Sequence, residues 1–194
     1  MLAVLELVSP LESPDFHIWK QTRTGLLSYP VDQDQAKAHL ATSVFVQMAL
    51  KPDIVHVVGY PEADHAVTGL EVIESCKMAK RAIGHALQSQ IDMTNSKNIQ
   101  QRVRELVLEA GRLIDAIRQL GAENSNDPLT DPAFLSAAVR EGYLDAPQLL
   151  NNPFSRGEIF TQIDSRGACV PVDTESNMAI NEENRIAQIV GRRD

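Results

Sequence analysis

Residues 54–87 read IVHVVGYPEADHAVTGLEVIESCKMAKRAIGHAL, and the fold is decided there. Ile54, Val55, Val57 and Val58 form a β-branched run of strand length, interrupted by His56 and ended by Gly59. Branched side chains suit a pleated strand, and a near-continuous apolar run predicts a strand buried on both faces of a parallel sheet. His56 reads there as a hydrogen-bonded structural histidine. After the 59–67 loop, Thr68 and Glu71 have capping-box spacing: the hydroxyl accepts from the third helical N–H and the carboxylate reaches back. Behind them Ile73, Cys76, Ala79, Ala82, Ile83, Ala86 and Leu87 share one helical face. Cys76 on that face reads as packed core rather than as a nucleophile. The whole stretch is one strand–loop–helix unit.

Toward the N-terminus, a helix is predicted from Gln33 to about Leu50, with Asp32 as its N-cap and Pro52 as its stop. Ser9 to Pro30 reads as loop, broken by Pro10, Pro14, Gly25 and Pro30, and it carries the aromatic cluster Phe16, His17 and Trp19. Ala3 to Val8 is a short apolar run with no basic flank, which predicts a first strand rather than a signal peptide. Toward the C-terminus, Val103, Leu106, Val107, Ala110, Leu113, Ile114 and Ile117 mark a long amphipathic helix over about 97–120. Asp131 and Pro132 start a shorter helix that ends near Glu141. Periodicity fades from Tyr143 onward, where extended pieces are expected at 158–163 and 168–172.

Alternating strands and helices predict an α/β fold with two to three parallel strands. A complete eight-unit barrel needs about 250 residues, and this chain has 194. The expected architecture is therefore a partial (β/α)8, TIM-like barrel over residues 1–142. An irregular C-terminal extension over 143–194 is expected to pack on it. The formal charge of −8 opposes binding to phosphate backbones. No apolar run approaches the roughly 20 residues of a membrane span. Two cysteines, Cys76 and Cys169, are too few for a disulfide framework, which predicts reduced thiols and a cytoplasmic location.

In βα units, chemistry gathers in the loops after strands. That rule selects Gly59–Thr68, where Glu62, Asp64 and His65 place two carboxylates and an imidazole within four residues. Such a group can hold ribose hydroxyls or relay a proton. The same acidic residues before a helix also favour its dipole. The other selected loop runs from Phe16 to Asp34; His17 and Trp19 there either stack on a planar ligand or pin the loop. No metal site is expected, because HExxH and paired CxxC patterns are absent.

Three stretches resemble the C-terminal portion of the barrel subunit of adenosylcobalamin-dependent methylaspartate (glutamate) mutase. The first is Phe16, His17 and Trp19, followed by Tyr29, Pro30 and Asp32 and a helix with Ala36 and Thr42. The second is the Val-rich strand, its Pro/Glu loop, and the helix with Cys76, Lys77, Met78 and Ala79. The third runs Gly142, Asp145, Pro147, then Gly157, Asp164, Gly167, Cys169 and Val170. The resemblance implies a component of a cobalamin-dependent carbon-skeleton isomerase acting on a small amino-acid-like substrate. Its cofactor would be adenosylcobalamin, held mainly by a separate cobalamin-binding subunit, because the DxHxxG pattern of corrin carriers is missing here. A further chain would supply the remaining barrel strands. The adenosyl group would dock over Gly59, Tyr60, Pro61 and Glu62, with His17 and Trp19 as further cofactor contacts. Glu62, Asp64 and His65 would be the catalytic candidates. Gly59 stands where the family has a lysine, and this departure keeps two other readings open. One is a binding or scaffolding relative without the chemistry. The other is a small α/β enzyme using Glu62, Asp64 and His65 as acid–base groups.

Overall fold

The computed structural model describes residues 1–121, 127–173 and 176–192. The fold is mixed α/β, mostly helical, with short strands in two small sheets. The chain divides into two compact units, Met1–Arg104 and Glu105–Asp194. No described helix is long and apolar enough to cross a membrane.

The first unit begins with helix α1 (Leu2–Val8), where a strand was expected. Leu, Ala and Glu are strong helix formers, and a short apolar run carries no periodicity that separates helix from strand. The first strand is instead β1 (Gln21–Arg23), three polar residues inside the expected loop. It pairs in parallel with β2 (Ile54–His56), Thr22 beside Val55. Helix α2 (Gln33–Gln47) connects them, and α3 (Gly69–Ser89) follows β2. The expected caps are present: Asp32 accepts from the Gln35 N–H at 2.9 Å, and Thr68 and Glu71 form the reciprocal capping box.

Helices α2 and α3 pack on each other and on one face of the sheet. Ala36, Leu40 and Val44 line α2 four residues apart and meet Val58, Ala79 and Ala82 in the core. Small side chains at Ser75, Ala79 and Ala82 let the helices approach closely. This is also why Cys76 is exposed and not in the core: it lies one residue, about 100° of helix rotation, past Ser75. Ile73 and Leu87 are exposed with it. β2 is not buried on both faces either. Gln21, Arg23, Ile54 and His56 turn to the face without helices and are exposed, Ile54 by 46%.

In the second unit, α4 (Lys97–Gly121) contributes its part from Glu105 onward, and α5 (Pro132–Glu141) is capped by Asp131 and Gly142. Gly142 ends α5 at φ +89°, a conformation that suits glycine at a helix C-terminus. The expected extended pieces form an antiparallel hairpin, β3 (Phe160–Ile163) and β4 (Cys169–Val172). A final helix, α6 (Glu182–Gly191), was not foreseen, although Asn181 caps it and Glu182 and Glu183 occupy its first turn. Ile117, Ala138, Tyr143 and Ile189 form the core of this unit.

Candidate functional site

The loop after β2 is organised by its own polar groups. Gly59 N–H donates to Glu62 Oε1 at 2.5 Å, turning the chain back at once. A Cβ at position 59 would lie 2.7 Å from Val67 Cγ1 and 3.1 Å from Glu62 Oε1. A side chain at this position would require Val67 or Glu62 to move from where this loop holds it. Tyr60 and Pro61 turn inward and are buried. The Tyr60 N–H donates to Ser75 Oγ, and its hydroxyl donates to Glu74 Oε2, each at 3.2 Å. Lys37 of α2 sits 4.8 Å from the Tyr60 ring and 3.7 Å from Glu74. Burial, then the bond to Glu74, raises the Tyr60 pKa. Tyr29, from the loop after β1, donates its hydroxyl to Val58 O at 3.0 Å. The two strand-end loops are thereby joined.

Asp64 and His65 lie on the solvent side. His65 Nδ1 is 3.0 Å from Asp64 Oδ2, and its Nε2 is 3.2 Å from Glu71 Oε1. Both partners are carboxylates, so only the imidazolium can donate to both at once. The hydrogen bond to Asp64, then that to Glu71, raises the His65 pKa. Glu71 is lowered, first by the Thr68 backbone N–H and then by its hydroxyl. His65 thus ties the loop to the capping box of α3. The raised histidine contributes stability that is complete below its unfolded value near 6.5 and is lost as pH rises through the higher folded pKa. The lowered Glu71 contributes in the opposite sense, losing its share as acid takes the pH down through its folded pKa. An NMR titration of the His65 ring is expected to place its pKa above the free-imidazole value, to lose part of that elevation in Glu71→Gln and to lose more of it in Asp64→Asn. An unshifted pKa in the parent protein would rule the clamp out.

Glu62, Asp64 and His65 are therefore gathered in one turn, as the sequence placed them. His17 and Trp19 are not brought to it. They precede β1, and Lys20, just after them, is bonded to Asp53 at the start of β2. In a parallel pair this is the end opposite the 59–68 loop. The expectation that they follow the first strand fell with the strand at 3–8. Trp19 is 72% exposed. The C-terminal end is lined by Pro30, Val31 and Gln33 together with Tyr60, Pro61, Asp64 and His65, around a cavity of about 10 Å3. That is room for about one water. Sequence reasoning missed Lys37 and Glu74 as partners of Tyr60, and missed Glu71, read only as the capping partner of Thr68, as a partner of His65; these contacts join residues 6 to 23 positions apart, and no local pattern announces them. His56, expected as a hydrogen-bonded structural histidine, and His39 differ in their surroundings. His39 meets Ser28 Oγ at 3.0 Å and Tyr29 edge-on. His56 lies on the exposed sheet face. No group of three or more potential ligands could hold a metal ion among the described residues.

These features define a strand–helix–strand–helix unit with a polar loop at its strand ends. A scan against protein-family models finds no match, and neither does a search of curated proteins.

Proposed function

We propose that this chain is a component of a cobalamin-dependent carbon-skeleton isomerase, contributing βα units to a (β/α)8 barrel completed by another chain. The observation that carries the reading is the one-sided sheet. Parallel sheets are covered on both faces in ordinary α/β domains, yet here both helices lie on one face and side by side. That is the local arrangement of consecutive barrel units, whose inner face is filled by neighbouring strands. Among the described residues no third strand pairs with β1 or β2, so both edges are open to such neighbours. In the completed barrel, a separate subunit would hold the corrin. The second oxygen of Glu62 has no protein partner among the described residues and would be offered to the adenosyl ribose.

The scaffolding reading has an observation of its own. The loop is closed around Gly59, and its cavity of about 10 Å3 leaves no room for a substrate unless the loop opens. Copurification from the native cell separates the two. Under the isomerase reading, corrin or a chain carrying the missing strands is expected in the eluate. Ile54→Asp should abolish that association while the isolated chain stays folded, because Ile54 is already half exposed. In the reconstituted complex, Glu62→Ala should slow adenosylcobalamin turnover. Recovery of a bare monomer with no corrin and no barrel partner would overturn the isomerase reading.

A further inference from the structure

The second unit holds a larger cavity, about 360 Å3, between the Gly142–Asp145 corner, the β3–β4 hairpin and α6. Its volume falls at the lower end of the range for small-molecule sites. We propose that it binds a small organic amine with an apolar body. Leu150, Phe160, Val172, Ile180 and Ile189 give it an apolar lining, and Phe160 is 43% exposed. The polar part of the wall carries four carboxylates, of Glu141, Asp145, Glu158 and Asp173, against the two guanidiniums of Arg185 and Arg192, a formal net charge of −2.

Both guanidiniums are already paired with carboxylates. Arg185 is nine-tenths buried and spends its fork on Glu182 and on the carbonyls of Gly142 and Tyr143. Arg192 is bound to Glu158 Oε2 at 2.5 Å. Asp145 is the opposite case. Among the described residues it accepts only from backbone N–H groups, of Ala146 at 2.9 Å, Gly157 at 3.1 Å and Glu158 at 2.8 Å. Three neutral donors fix its position and leave one of its roughly four acceptor sites open, with no cation beside it among the described residues. A rigid anion next to an uncovered apolar surface selects an ammonium group on a hydrocarbon body, joined by a charge-assisted hydrogen bond. This site is independent of the isomerase reading and needs no partner chain.

The test is a titration of the full chain with 2-phenylethylamine, followed by backbone amide NMR, with phenylacetate and 2-phenylethanol as matched anionic and neutral probes. Saturable shifts are expected at Gly157, Phe160, Val172 and Ile189 with the amine. Phenylacetate should give none, and the alcohol should bind more weakly than the amine. Gln188→Lys places a positive charge at an exposed position of the lining, where folding is not at stake. It should weaken the amine by about tenfold, and added salt should weaken it in the parent protein. Asp145→Asn should weaken it further. The proposal is overturned if the amine gives no saturable shift. It is equally overturned if anion and amine bind alike, or if Gln188→Lys leaves the affinity unchanged.

Discussion

Replacing Arg185 by alanine is expected to lower the unfolding free energy of the second unit by about 3–5 kcal/mol, the cost of breaking a largely buried ion pair. The Arg185 and Glu182 side chains are only 10% and 13% exposed. The guanidinium also donates to Gly142 O at 2.5 Å and Tyr143 O at 2.9 Å, joining α6 to the corner after α5. Its loss strands a carboxylate and two carbonyls together. The desolvation of an unpartnered buried group exceeds the net value of the bond it made. Removing Glu182 as well, as in the Arg185→Met, Glu182→Leu double variant, should recover much of the loss, because no buried charge is then left alone. Urea unfolding of the two variants checks this. A single variant as stable as the parent would show that the pair contributes nothing to holding α6.

Leu40→Ala is expected to destabilise the first unit by about 2–5 kcal/mol. Leu40 is fully buried, between Ala36 and Val44 on the face that meets Val58, Ala79 and Ala82. Ala36, Ala79 and Ala82 of the same cluster have no side chain long enough to swing into the space left behind, and the cavity term adds to the lost transfer energy. Leu40→Met, which conserves volume, should cost less than about 1.5 kcal/mol. Denaturant midpoints at unchanged slope measure both. Equal effects of the two substitutions would argue that the α2–α3 contact is loosely packed.

The helices with caps and stripes were legible in the sequence. Asp32, the Thr68–Glu71 box, Asp131 with Pro132 and Gly142 act within one turn of chain, so their physics is local and the residues state it. The gathering of Glu62, Asp64 and His65 was legible for the same reason: four residues cannot separate far. Three things were not. β1 is three polar residues whose only claim to be a strand is the partner lying 33 positions later. Helix α1 differs from the expected strand because a seven-residue segment, apolar except for Glu6, is too short to show a period. Helix α6 had an N-cap and acidic first turn to announce it, but it is short and follows a stretch without pattern.

The sequence by itself determined the local elements, the β2 loop and the residues at its tip, because capping, turn formation and β-branching act between neighbours in the chain. Tertiary structure alone decided which face of α3 is buried, which end of the sheet His17 and Trp19 occupy, and that Gly59 is walled in by Val67 and Glu62. It also decided that Arg185 and Asp145 close a cavity with groups 43 and 12 residues away. Those outcomes depend on packing and hydrogen bonding across distant segments, where the energy lies in complementarity between surfaces and not in any single residue's preference.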